Sequence, residues 1–188
     1  MNHPTLLLLA LVALAMPARA GAGEPAPTEA QRYFTDTKLI NQDGKTMRLY
    51  SDLIRGRSVV IDTFFTTCTS LCPRLNKRMA EIQGWLGDRL GKDVYLISIS
   101  VDPEHDTPPR LVEYAKRSKA RPGWYFLTGP RPNVDFVLRK LGHFIDSPDD
   151  HTSIFLVGND RTELWKKVQG FANAKEVIAV VQGVVDGQ

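Results

Sequence analysis

The chain has 188 residues, 43% of them hydrophobic, with 24 Lys plus Arg against 21 Asp plus Glu and a net charge of +3. That length and apolar content support one domain with its own core. So mild a charge gives no ground for nucleic acid or an acidic membrane surface as a partner.

The first twenty residues stand apart from the rest. Leu6 to Met16 is an unbroken apolar run, followed by Pro17 and then Ala18-Arg19-Ala20, a small-x-small cleavage site. This is the pattern of a secretory signal peptide, although Met1 to Thr5 carries no Lys or Arg. The run falls short of the ~20 apolar residues of a membrane span, and no cysteine follows it to carry a lipid. Cleavage after Ala20 would remove Arg19, leave 168 of the 188 residues at a net charge of +2, and place the protein in the periplasm. Residues 21–33 then read as a flexible tether, since Gly21 to Thr28 is rich in Ala, Pro and Gly. Residues 34–188 form the folded domain.

Within that domain, Thr37 to Tyr50 carries Gln42-Asp43-Gly44-Lys45 between two alternating stretches, which predicts a β-hairpin. Ser58 to Thr66 is β-branched and aromatic and reads as a buried strand. Leu75, Met79, Ile82, Leu86 and Leu90 recur at helical spacing. Asp93 to Val101 predicts another strand, Thr107 the cap of a helix containing Leu111, Val112 and Ala115, and Trp124 to Thr128 a short strand. Pro130 to Leu141 reads as a helix closed by Gly142. Ser153 to Val157 and Glu163 to Val168 predict a hairpin, and Ala174 to Val185 the closing helix.

The only two cysteines, Cys68 and Cys72, fall between the first buried strand and its helix. A four-residue spacing on one helical face would bring two sulfurs close enough to share an ion or a disulfide. Helix N-terminal amides stabilise a thiolate there. An exported pair is most often a structural disulfide, but a bridge this short closes almost no loop. A functional dithiol is the stronger reading.

Strands alternating with helices, framed by hairpins, resemble the thioredoxin fold with an N-terminal β-hairpin and an inserted helical segment, an α/β architecture. In that fold the loop before the final hairpin lies beside the dithiol, and here it reads Asp149-Asp150-His151-Thr152. Two thiolates and one imidazole form a soft donor set suited to copper, as Cu(I) or Cu(II), better than to structural zinc, which wants a fourth ligand. Three motifs taken together, Cys68-Thr69-Ser70-Leu71-Cys72-Pro73, Ser100 to Pro108 (SVDPEHDTP) and Asp150-His151-Thr152, resemble those of the Sco/SenC/PrrC family of copper-binding cytochrome c oxidase assembly proteins. The resemblance covers about residues 34–186 and implies Cys68, Cys72 and His151 as copper ligands, with Asp102 as an acidic neighbour. It also implies a copper acceptor, the subunit carrying the CuA site, and a periplasmic thioredoxin-like reductant to keep the thiols reduced. Two departures stand out: Thr69 replaces a Pro common in the family, and the long membrane anchor is replaced by a short apolar segment.

A thiol-disulfide oxidoreductase using the same Cys68 and Cys72 is the alternative. A peroxiredoxin is not supported, because Phe65 occupies the position its signature gives to Pro. Among the remaining candidates, His105 reads as solvated, His143 as a group bonding the carbonyls that end its helix, and Lys77-Arg78 as part of a solvated face. Trp85, Trp124 and Trp165 read as packing.

Overall fold

The computed structural model describes residues 27–144 and 153–187. A seven-stranded sheet organises them, built from β1 (Lys38–Asn41), β2 (Thr46–Arg48), β3 (Ser58–Phe64), β4 (Val94–Ser100), β5 (Trp124–Thr128), β6 (Ile154–Asn159) and β7 (Leu164–Gln169). The strand order is β2-β1-β5-β4-β3-β6-β7. β3 lies parallel to β4, and β4 to β5, whereas β1, β6 and β7 add antiparallel borders. Parallel neighbours demand crossover helices, and the hairpins supply the antiparallel edges. The α/β thioredoxin-like expectation holds.

Position in the sheet explains sequence pattern. All seven residues of β3 are buried, since it is flanked by strands on both sides and covered on both faces. β7 is an edge strand with no fully buried residue, its half-buried positions mixed with exposed ones, Lys166 and Lys167 among the exposed. Among the described residues five α-helices accompany the strands: α1 (Glu29–Phe34), α2 (Cys72–Leu86), α3 (Pro108–Arg117), α4 (Arg131–Leu141) and α5 (Ala174–Val185). α2 packs on α5, and Asn76 Nδ2 of α2 donates to Ser118 Oγ beyond α3 at 2.7 Å. α1 packs instead against α4 and the Leu49–Ile54 turn.

Several boundaries move. Residues 29–33, assigned to a tether, are helical: Thr28 accepts from the Gln31 amide at 3.1 Å, and Ala30 and Phe34 enter the core. The expected hairpin stops at Arg48 rather than Tyr50, and Leu49–Ile54 form a π-helical turn that buries Leu49, Tyr50, Leu53 and Ile54. The helix expected to reach Leu90 gives way at Gly87, where φ is +54°, to a 3-10 turn over Gly87–Arg89. α3 begins after Thr107 as expected, though no side-chain capping bond forms there. α4 ends at Gly142 in the left-handed conformation, as its sequence requires.

Candidate metal and redox centre

The dithiol sits where β3 runs out. Val101 donates its amide to Phe64 O at 2.9 Å, the last rung beside β4, and the chain then turns through residues 65–71 before α2 begins. The expected geometry, two sulfurs on one helical face, is not what forms. Cys72 is the first residue of α2, with Pro73 next to it, whereas Cys68 lies in the loop, its amide bonded to Phe65 O at 3.2 Å. Leu71 occupies the N-cap and offers no side-chain acceptor. The Cys68 sulfur takes that task, accepting the Cys72 amide at 3.2 Å.

This arrangement makes the sulfurs unequal. Partial burial works against a Cys68 thiolate, but hydrogen bonds from Cys72 and from the amides of Cys72, Ser70 and Leu71 outweigh it and hold the thiol below its ordinary range. Cys72 is 2% exposed. Burial pushes its thiol strongly upward, its bond to Cys68 and the nearby Asp62 add to that, and a bond involving Phe65 offsets part. Of the two thiols, Cys68 is the more exposed and the more readily ionised, and Cys72 the more firmly protonated.

Two carboxylates without an assigned role in the sequence support the loop. Asp106 is fully buried; it accepts the Thr66 amide at 3.1 Å, the Thr66 hydroxyl and the Ser100 hydroxyl. Burial lifts its pKa, opposed by those same bonds. It thus fastens the first residues after β3 to the end of β4. Asp62, in the middle of β3, accepts the Ser98 hydroxyl at 2.6 Å, and Ser98 in turn accepts the Trp124 indole N–H at 3.0 Å. Burial raises the Asp62 carboxyl to about 7 against the pull of Ser98. A lone Asp inside an apolar strand run was the available signal for this site.

The other expected residues fall as follows. Asp102, the expected acidic neighbour, turns its carboxylate to His105 Nδ1 at 2.9 Å and its amide to Ser100 Oγ at 3.0 Å. Among the described residues, the carboxylate hydrogen-bonded to the loop after β3 is that of Asp106. His105 is exposed, and its bond to Asp102 raises its pKa. His143 departs from expectation: it is 1% exposed, and neither ring nitrogen has a hydrogen-bond partner among the described residues. Burial and the nearby Lys167 lower its pKa to about 4. Arg78 is also less solvated than expected, donating to Ala172 O at 2.7 Å and pairing with Glu81. His151 lies outside the described residues, and among those described no three His, Cys, Asp or Glu side chains converge as a metal site. No described helix is long and apolar enough to cross a membrane.

A parallel-centred sheet with a dithiol at the mouth of its first long helix defines a thioredoxin-like dithiol protein. Comparison narrows it: the SCO1/SenC family model matches residues 25–186, so the chain belongs to that family. A SCO1 protein homolog of Bacillus subtilis is 33% identical over 129 residues, covering 64% of this chain and 65% of the relative. A SCO2-like protein of Rickettsia felis is 28% identical, covering 79% and 75%. Among solved structures, BsSco, a member of the Sco family of cytochrome c oxidase assembly proteins with a disulfide switch, superimposes with a TM-score of 0.66 at 29% identity, covering 80% of this chain and 92% of that one. Arabidopsis thaliana ScoI, solved with copper bound, gives 0.64 at 26% identity, covering 80% and 94%.

Proposed function

We propose that the chain is a periplasmic copper chaperone that carries one copper ion on Cys68, Cys72 and His151 and supplies the CuA site of cytochrome c oxidase. The observation that carries this reading is the Cys72 amide bonded at 3.2 Å to a Cys68 sulfur whose thiolate is favoured. Such a sulfur is a soft ligand before metal arrives, and a second sulfur four residues on completes a chelate that selects copper over hard cations. Kinship with proteins solved with copper supports the same cargo. The 11-residue apolar run and the Ala18-Arg19-Ala20 site support export, with Gly21 as the mature N-terminus. Anaerobic Cu(I) titration of the reduced mature protein is the test, against a competing chelator. Uptake of one equivalent is expected, with affinity lowered about 10–100-fold in His151→Ala. Unchanged affinity and spectrum in that variant would remove His151 from the ligand set.

The unequal sulfurs favour a second reading, a thiol-disulfide reductase. Cys68 would attack a partner's disulfide, forming a mixed disulfide and releasing one thiolate. Cys72 would then displace the partner from Cys68, leaving a Cys68–Cys72 bond and a fully reduced partner. Both readings draw on the same sulfur atoms, so copper loading and disulfide formation exclude one another.

A further inference from the structure

A cavity of about 470 Å3 opens between α1, the end of α4 and the β6–β7 border of the sheet, and neither thiol lines it. Phe34, Leu141, Leu156 and Trp165 give it apolar walls. Its rings are held in place. The Trp165 indole lies across Gly158, where a Cβ would meet it at 2.0 Å, and its centroid is 4.7 Å from that of Phe34. Tyr33, half exposed at the rim, donates its hydroxyl to Lys140 O. Three cations line the same cavity where α4 ends. Arg139 and Lys140 belong to the last turn of that helix, and the Lys167 amine stands 3.0 Å from where a Cβ on Gly142 would be. Arg139 sits over the Phe144 ring at 3.4 Å and Lys140 over Tyr33 at 5.0 Å, contacts that leave the charge intact. Glu29 and Glu163 line the cavity from α1 and from the β6–β7 hairpin. Among the described residues, no carboxylate oxygen comes within 4.0 Å of Arg139, Lys140 or Lys167. A helix end supplies about half a negative charge, less than three cations bring to it. The Lys167 charge is felt next door, where it helps to lower the pKa of His143.

We propose that this cavity binds a small planar aromatic molecule bearing one anionic group, a carboxylate or a sulfonate, with its ring against Trp165 and Tyr33 and its charge among Lys167, Arg139 and Lys140. The site stands apart from the chemistry of Cys68 and Cys72 and does not depend on it. Its volume lies within the roughly 300–1,000 Å3 of small-molecule sites, and apolar and aromatic walls with a few charged groups are their usual make-up. Fixed rings favour a flat aromatic ligand over an aliphatic one of equal size, because offset or edge-on ring pairs add to area burial. A neutral ligand would cover the cations without pairing them, and a cationic one would be repelled. Glu29 and Glu163 weigh against a ligand of higher negative charge, such as a nucleoside phosphate. One anionic group on a flat ring is what remains.

The test is a nuclear magnetic resonance titration of the reduced, copper-free mature chain with naphthalene-2-carboxylate as the probe. Binding with a Kd on the order of 1 mM or tighter is expected for a ligand of this size. The shifts should gather at the amides of Gly142 and Lys167 and at the Trp165 indole N–H. Naphthalene-2-carboxamide, which has the ring without the charge, should bind about tenfold more weakly. Decahydronaphthalene-2-carboxylate, which has the charge without the aromatic ring, should bind several-fold more weakly. Lys167→Gln should weaken the carboxylate about tenfold and leave the carboxamide unchanged, and Arg139→Gln/Lys140→Gln should act in the same sense. Tyr33→Leu, at an exposed position that does not threaten the core, should weaken carboxylate and carboxamide alike. Lys116→Gln, on α3, should change neither. The site is overturned if the shifts fall elsewhere, if the carboxamide binds as tightly as the carboxylate, or if Lys167→Gln has no more effect than Lys116→Gln. Equal affinity for the saturated acid would overturn the aromatic part of the assignment.

Discussion

Substituting Asp62 by Asn tests whether a buried proton sits beneath the dithiol. Burial raises this carboxyl from 3.8 to about 7, so the folded protein keeps a proton that the unfolded chain has released. A carboxyl raised in this way stabilises the fold fully below the unfolded value, and the contribution drains away as pH climbs to the folded one. Each pKa unit corresponds to about 1.4 kcal/mol, so a shift of about three units amounts to ~4 kcal/mol at most. His143 works in the opposite sense. Its pKa falls from 6.5 to about 4, so its contribution is present above 6.5 and is lost as pH drops toward 4, about 3 kcal/mol in all. Between about pH 4.5 and 6.5 the two slopes nearly cancel, and the reduced wild-type protein should hold a flat stability profile. The side-chain amide of the Asp62→Asn variant cannot titrate, which leaves the slope of His143 uncovered. Urea denaturation of both proteins across about pH 4.5 to 7 is the assay, and the difference in unfolding free energy should shift in favour of the variant by about 3 kcal/mol as pH rises. Reading the difference removes any constant packing cost of the amide. A difference that stays level across this range would show that Asp62 is already ionised in the fold, and the assignment of a buried proton would be wrong.

Asp106→Asn should cost about 1–3 kcal/mol, because one amide oxygen cannot replace the acceptors now serving Thr66 and Ser100. With the loop less firmly held, the iodoacetamide reactivity of Cys68 should change its pH profile; an unchanged profile would separate Asp106 from the dithiol. Gly158→Ala should destabilise by at least ~1–3 kcal/mol, since a Cβ there would meet the Trp165 ring at 2.0 Å. Thermal unfolding measures this, and Trp165→Ala in the same chain should recover part of the loss. Export predicts that intact mass of the periplasmic protein corresponds to a chain starting at Gly21, whereas a full-length species in the membrane fraction would refute the cleavage.

The order of the seven strands and of the helices from α2 onward, the closing Gly142, the place of the dithiol between a buried strand and a helix, and the motifs that mark the family can all be read from the chain alone. Periodicity, caps and turn residues act between near neighbours, so they are written locally and can be read locally. The same reading raised His151 as a ligand, a position outside the described residues. Whatever depends on distant neighbours emerges only in the assembled fold. Cys68 and Cys72 look alike in sequence; one becomes acidic and the other a buried thiol because Cys68 caps α2 from the loop while Cys72 is sealed into the core. Asp102 and Asp106 share one motif, yet only Asp106 reaches Thr66, forty residues earlier in the chain, because β3 and β4 end side by side. His143 likewise gave no hint that its ring would be buried without a partner among the described residues. Burial and long-range contact set the charge states at this site, and neither is visible until the sheet is assembled.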